Sequence, residues 1–292
     1  MAGSGQQTQR IAVASDVSLA VDMIGTPGDP VLMLLHGGGQ TRHSWKKGAE
    51  TFARLGFHVW SIDARGHGDS DWSPEGDYSW DALRNDLAAL VARTDRPPLL
   101  VGASMGGLTA LLLEGEAGQS LARGLVLVDV TPRVDRAGVE RITSFMSAHL
   151  EGFETVEQAA AALADYNPHR RRPASAAGLA QVLRRRGGRY HWHWDPRLVQ
   201  SDGEAQEDEA RFIAAARRVR VPTLLVRAGA SDLVGPEQVA HLLTLIPHAQ
   251  TVDVAGAGHM VAGDRNDAFV EALLPFLEQF LGHRDVASRT KT

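Results

Sequence analysis

Eight short apolar runs recur along the chain, and stretches of helical period separate most of them. The runs Ile11–Ala14, Leu19–Met23, Pro30–Leu35, His58–Ile62, Leu99–Gly102, Gly124–Val128, Thr223–Val226 and Thr251–Val254 predict strands. The middle ones are apolar at nearly every position rather than alternating. That is the pattern of strands buried on both faces, as in a parallel sheet covered by helices. Helical spacing predicts helices over Trp45–Leu55, Trp80–Ala92, Met105–Gly115, Pro236–Leu245 and Asn266–Leu281. Only four residues separate the first two runs. They predict an antiparallel hairpin at one edge, because a parallel crossover needs a dozen residues or more. The expected fold class is α/β, an eight-stranded, mostly parallel sheet flanked by helices.

One stretch breaks the rhythm. Between Thr131 and Arg220 there is no strong strand signal. Amphipathic pieces such as Val139–Leu150 and Val156–Tyr166, two arginine triplets and the run His191-Trp192-His193-Trp194 stand there instead. Inserted between two strands, this segment predicts a helical cap over the carboxyl edge of the sheet, where open α/β sheets bind ligands. The expected organisation is a core of residues 10–131 and 220–282, a cap of residues 132–219, and flexible polar tails at 1–9 and 283–292.

Composition narrows the classes. Of the 292 residues, 43% are apolar and 22% charged, which excludes a disordered or fibrous chain. The net charge of −5 argues against electrostatic binding of nucleic acid. With no cysteine there is no thiolate nucleophile and no Cys-based metal site. No apolar run reaches the ~20 residues of a membrane helix, and the polar start lacks the apolar core of a signal peptide. The expectation is a cytoplasmic protein with no membrane partner. The apolar pattern does not set an oligomeric state.

The chemistry concentrates in two glycine-rich turns. Gly102-Ala103-Ser104-Met105-Gly106 follows an apolar strand and precedes an apolar helix. A serine on so sharp a strand-to-helix turn is forced into strained backbone geometry, and small neighbours two residues away on either side let the chain pass. Ser104 is the candidate nucleophile. His36-Gly37-Gly38-Gly39 ends the third strand, where glycines let backbone N–H groups approach a ligand. The N–H groups of Gly38 and Met105 are therefore the candidate oxyanion donors, with Gly37 or Gly39 as replacements for Gly38. A phosphate loop is excluded, since no Gly-Lys-Ser/Thr follows.

A nucleophilic serine needs a base, and the base needs an orienting carboxylate, here expected in the order Ser, acid, His. Asp232 lies just past the seventh strand and His259 just past the eighth, so both can converge on Ser104. Asp129, after the sixth strand, is the alternative acid, although it is expected to bond to its own loop backbone. His36, Gly37, Trp45, Trp192 and Trp194 are candidates for the pocket wall. Arg65 and His67 read as supporting loop residues. The arginine triplets read as solvated helix faces offset by Glu204, Glu207, Asp208 and Glu209, and the His191/His193 pair lacks the carboxylate partners of a metal site. This chemistry calls for no metal and no cofactor.

Together with Asp63-Ala64-Arg65-Gly66-His67-Gly68-Asp69-Ser70 after the fourth strand and Ala257-Gly258-His259 near the end, these features resemble the α/β-hydrolase family from Ile11 to Leu281. The resemblance implies an eight-stranded sheet with an antiparallel first pair and a serine hydrolase of small or medium-sized esters or lactones. Members that open epoxides or remove halides carry aspartate at the elbow, so the serine excludes them. Two alternatives keep the scaffold. One is cleavage of a carbon–carbon bond in a vinylogous diketone, or acyl transfer to peroxide, by the same triad. Ser104-Met105-Gly106-Gly107 resembles the elbow of such carbon–carbon hydrolases, while Ala257 and Met260 depart from their histidine loop. The other is a non-catalytic receptor for a small molecule.

Overall fold

A computed structural model describes residues 6–281 apart from 134, 167–178, 180–181, 200–204, 232 and 256–265. Eight strands form one sheet: β1 (Gln7–Ala12), β2 (Ser18–Ile24), β3 (Val31–Leu35), β4 (His58–Ile62), β5 (Leu99–Ala103), β6 (Gly124–Val128), β9 (Thr223–Ala228) and β10 (Gln250–Val254). Their order is β1-β2-β4-β3-β5-β6-β9-β10. β2 is antiparallel to both β1 and β4, and every other pairing is parallel.

Both faces of the sheet are covered, which is why the central strands are apolar throughout. Leu32 and Leu34 of β3, Val101 of β5 and Val126 of β6 face α1 (Lys46–Leu55) and α8 (Asn266–Leu277), meeting Phe52, Phe269 and Phe276. The alternate residues Met33, Leu100, Leu125 and Leu127 face α2 (Trp80–Val91), α3 (Met105–Glu116) and α7 (Pro236–Leu245). Among the described residues no helix is long and apolar enough to cross a membrane.

β1 begins inside the segment expected to be a flexible tail. Gln7, Thr8 and Gln9 pair with Met23, Asp22 and Val21. The apolar run Ile11–Ala14 marks only the end of this edge strand, where Ile11 packs against the core. Gln7–Arg10 are exposed, so nothing selects apolar residues there and no hydrophobic pattern marks that part. The segment 282–292, including the expected tail at 283–292, lies outside the described residues.

The insert between β6 and β9 holds α4 (Arg136–Ser147), α5 (Val156–Tyr166), a hairpin of β7 (Leu183–Arg186) and β8 (Arg189–Trp192), and α6 (Ala205–Ala216). The hairpin corrects the all-helical expectation. Gly187 and Gly188, at φ 55° and 81°, make its two-residue turn, a conformation that two glycines adopt without steric cost. Arg184–Arg186 is therefore a strand rather than a helix face. α4, α5 and the hairpin share a small core of their own around Met146, Phe153, Trp192 and Trp194. α6 does not join it. Phe212, Ala215 and Ala216 pack into the core on the α3 side of the sheet. Gly115 of α3 lies so close to the Ala215 carbonyl that a Cβ there would stand 2.3 Å from its oxygen.

Candidate active site

Ser104 occupies the turn between β5 and α3 with φ 47° and ψ −118°, a region that costs a non-glycine residue about 1–3 kcal/mol. Three glycines make the turn possible. A Cβ on Gly102 would come within 2.5 Å of the Gly106 carbonyl carbon. On Gly106 it would stand 2.6 Å from the Leu35 oxygen, and on Gly107 2.7 Å from the Gly102 oxygen. The first turn of α3 thus rests directly on the ends of β3 and β5. The Ser104 N–H donates to the Val128 carbonyl at 3.2 Å, and the Ser104 carbonyl accepts from Leu108 at 3.0 Å. Its side chain makes no capping bond to the helix, so the hydroxyl is not diverted into holding the N-terminus of α3. Met105 is the first residue of that helix, where N–H groups have no intrahelical acceptor and the dipole favours negative charge.

The glycine loop lies against the serine. A Cβ on Gly37 would be 3.2 Å from the Ser104 Cβ. Above the loop sits the cap: the Met146 Sδ would be 3.5 Å from a Cβ on Gly38, and Trp194 would be 3.6 Å from one on Gly39. Trp194 donates its indole N–H to the Met146 carbonyl at 3.2 Å and stacks on Trp192, with ring centroids 5.2 Å apart. Phe145 extends the aromatic layer towards Tyr166.

Three buried histidines tie this loop to the segment after β4. His36 Nδ1 lies 2.8 Å from the Gly37 oxygen, and its Nε2 accepts the Ala64 N–H at 3.0 Å. His67 Nε2 accepts the Gly39 N–H at 3.1 Å, with Nδ1 3.1 Å from the Arg65 oxygen. His193, from the cap, accepts the Gly68 N–H on Nδ1 at 2.8 Å, and its Nε2 lies 3.3 Å from the Gly39 oxygen. In each ring the nitrogen facing an N–H must be unprotonated, so the other nitrogen carries the proton and donates to a carbonyl. Burial disfavours charge on all three. It lowers His36 although Asp63 opposes the shift, takes His67 down to about 3 with help from His36, and holds His193 well below the usual histidine range.

Below the loop, Arg42 is buried among three carboxylates. It bonds Asp63, stands 3.0 Å from Asp22 and 2.8 Å from Asp69, and its backbone N–H donates to Asp63 at 2.6 Å. Burial alone would depress the guanidinium, but Asp63 and then Asp22 and Asp69 push it up.

Asp129 is fully buried at the end of β6, with φ 51°. Its carboxylate accepts the Ala228 N–H at 2.9 Å and the Ser231 hydroxyl at 2.8 Å. With its left-handed backbone, the residue turns its side chain across to the end of β9, beyond the loop bonding expected of it. β9 and β10 finish at the same sheet edge as β5, at Ala228 and Val254. Asp232 and His259 themselves lie outside the described residues.

Trp45 is removed from the site. Just before α1, it is 1% exposed and packs on Phe269 in the core on that face of the sheet, so it presents no open pocket wall. His36 sits behind the loop, where it lines a cavity of about 30 Å³ with Met105, Thr109, Arg65 and Asp86. That volume holds a water molecule or so and no substrate. Arg184 pairs with Asp69 at 2.6 Å and Arg186 lies 4.0 Å over the ring of Trp72, so neither side chain is simply solvated. Arg170–Arg172 lies outside the described residues. Met146 and the bridging role of His193 escaped the sequence reading, since nothing local marks a cap residue that folds back over a loop more than a hundred positions earlier.

Comparison with known proteins agrees with this geometry. The family model described as "alpha/beta hydrolase fold" matches residues 30–265. The mouse (Mus musculus) sn-1-specific diacylglycerol lipase ABHD11 is 32% identical over 260 residues, 85% of this chain and 81% of that protein. Esterase Rv0045c of Mycobacterium tuberculosis is 30% identical over 258 residues, 85% and 83% of the two chains. A crystal structure of E-2-(acetamidomethylene)succinate hydrolase superposes with a TM-score of 0.82 over 94% of this chain and 100% of its own, at 22% identity, a likeness of fold. With the elbow serine, the antiparallel first strands and the parallel sheet in place, the chain belongs to the α/β-hydrolase fold family, and the relatives it resembles are hydrolases.

Proposed function

We propose that the protein is a serine hydrolase of small or medium-sized carboxylic esters or lactones that works through an acyl-enzyme on Ser104. The observation that carries this reading is the strained Ser104 backbone at the head of α3, beside a Gly37 where a Cβ would stand 3.2 Å from the Ser104 Cβ. In this reading His259 removes the Ser104 proton, the oxygen attacks the substrate carbonyl, and the N–H groups of Gly38 and Met105 receive the oxyanion. His259 then protonates the leaving alcohol and activates the water that releases the acid. Asp232 holds the His259 tautomer. Asp129 is the alternative acid, and it also bonds the end of β9 through Ala228 and Ser231. The roof of Met146, Trp194 and Trp192 over the glycine loop supports an apolar acyl group. The ester-cleaving relatives support the bond type.

Hydrolysis of a p-nitrophenyl ester series by wild type and Ser104→Ala tests the reading. Turnover by wild type that vanishes in the variant is the expected result, with the best acyl length gauging the pocket. Ester turnover that survives in Ser104→Ala would overturn the serine mechanism. Absence of turnover by wild type at every length would turn attention to diketone cleavage or a receptor role. Asp232→Asn is expected to lose ~10⁴-fold, and near-normal activity in that variant would move the acid to Asp129.

A further inference from the structure

A run of three glycines has no side chains with which to hold its own shape, so any fixed orientation of its peptide groups is imposed from outside. Each peptide of the Gly37–Gln40 segment is trans, so fixing a carbonyl fixes the opposed N–H. The Gly38 N–H shares a peptide with the Gly37 carbonyl. That carbonyl is held by two donors, His36 Nδ1 at 2.8 Å and the Gln40 N–H at 3.1 Å. The Gln40 N–H in turn shares a peptide with the Gly39 carbonyl, which receives the proton of His193 Nε2. On the other side His67 holds the Gly39 N–H. A path of hydrogen bonds and rigid peptides therefore leads from one cap side chain to the oxyanion donor. It runs from His193 to the Gly39–Gln40 peptide, and then to the Gly37–Gly38 peptide.

From this geometry we infer that His193 is a positioning residue of the oxyanion hole: the cap, through its imidazole, sets the direction in which the Gly38 N–H points. The inference rests on the serine-hydrolase reading above. His193 is 1% exposed, and both of its nitrogens are engaged with backbone, Nδ1 by Gly68 and Nε2 by Gly39. It touches no reacting atom. Its effect is felt where charge develops on the substrate oxygen, because a donor aimed away from that position stabilises the transition state less. Ground-state binding, which depends on the apolar roof, is left nearly as it was.

The test separates the two nitrogens. An asparagine amide reaches about as far as Nδ1, so His193→Asn keeps the bond to Gly68 and loses the one to Gly39. A glutamine amide reaches about as far as Nε2, so His193→Gln retains the bond to the Gly39 carbonyl. On the best p-nitrophenyl ester, His193→Asn is expected to lower kcat at least tenfold with KM within about twofold. The same variant should bind a trifluoromethyl ketone, whose tetrahedral adduct places an oxyanion in the hole, at least tenfold more weakly. His193→Gln is expected to return both quantities to within about threefold of wild type. Melting temperatures of the two variants report any purely structural effect. Equal kcat in His193→Asn and wild type overturns the inference, as does a loss shared equally by the Asn and Gln variants and matched by their melting temperatures. A rise in KM with kcat unchanged also overturns it, since that would assign His193 to substrate binding. Wild type and Ser104→Ala run alongside keep the outcomes distinct. Turnover surviving in Ser104→Ala refutes the serine mechanism itself, whereas an unaffected His193→Asn against a dead Ser104→Ala refutes only the positioning role.

Discussion

Mild acid should destabilise this protein well above the pH at which carboxylates matter, and His67 sets the size of the effect. In the native state its Nε2 faces the Gly39 N–H, so a proton there would set donor against donor in a fully buried position. Burial, reinforced by the neighbouring His36, takes the ring from 6.5 down to about 3. Above pH 6.5 the ring is neutral in both native and unfolded chains and stability is at its full value. As pH falls below 6.5 the unfolded chain takes up a proton that the native chain refuses, so stability declines until the native ring titrates near 3. The whole shift corresponds to roughly 5 kcal/mol, and the part lost between pH 7 and pH 5 to about 2 kcal/mol, from this one ring. His36 and His193 are lowered by the same burial and add in the same direction. Asp69 and Asp195, held below the usual carboxylate range by arginines, act only at lower pH, and Asp86, raised by burial, acts there with the opposite sign. Urea unfolding followed by tryptophan fluorescence at pH 7 and pH 5, at constant ionic strength, measures the decline. Wild type should lose more than about 2 kcal/mol. His67→Gln, whose amide can still accept the Gly39 N–H but does not titrate, should lose about 2 kcal/mol less than wild type. Equal pH dependence in the two proteins would show that the ring accepts its proton in place, and the clamp of neutral histidines would then be wrong.

Gly106→Ala should destabilise the fold by about 1–3 kcal/mol or more and abolish ester turnover, because its Cβ would press on the backbone oxygens of Leu35 and His36 at 2.6 and 2.7 Å. Soluble yield and a thermal melt measure the first effect, and an unchanged melting temperature would refute the packing argument. Arg42→Met should cost about 3–5 kcal/mol in a urea titration, since it leaves the fully buried Asp63 without its cation. A loss below 1 kcal/mol would mean that the Asp63 charge is held by its backbone donors alone.

The sequence was most legible where the environment is uniform. Leu32–Leu35, Leu99–Val101 and Leu125–Val128 are apolar at every position because helices cover both faces of the sheet there, and the Ser104 turn declares itself because only glycines fit around it. Legibility failed where selection for burial is weak or where partners are distant. The first four residues of β1, Gln7–Arg10, are exposed and carry no pattern, so the apolar run shows only the strand's end. The β7–β8 hairpin did leave a signal, the pair Gly187-Gly188, but the arginines around it disguised a strand whose residues answer to Asp69, Tyr190 and Trp72 rather than to a core. Trp45 suits a pocket wall and a helix–sheet contact equally well, and only its tertiary partner, Phe269 near the chain's end, decides between them. The clamp on the glycine loop was out of reach, because His193 lies 125 and 154 positions from the two glycines it bridges.

The turn Asp63–Ser70 illustrates what a motif can mean beyond catalysis. The Asp63 carboxylate holds Arg42 and the Asp69 N–H, and it stands where a Cβ on Gly68 would fall, 2.1 Å away. Arg65 pairs with Asp86 of α2 at 2.6 Å, and His67 grips Gly39. The Gly66 carbonyl accepts from Asp195 and the Gly68 N–H donates to His193, both cap residues. Asp69 bridges Arg42 in the core to Arg184 in the hairpin, while Ser70 accepts the Ala20 N–H and donates to the Asp63 carbonyl. Nearly every residue of the turn thus joins two parts of the molecule, and sheet, glycine loop and cap all meet in it. A substitution here need not touch substrate to alter turnover, because the same bonds that seat the cap also fix the peptides beside Ser104. Loss of activity from a change in this turn is therefore evidence of geometry and does not by itself place a residue of the turn among the reacting groups.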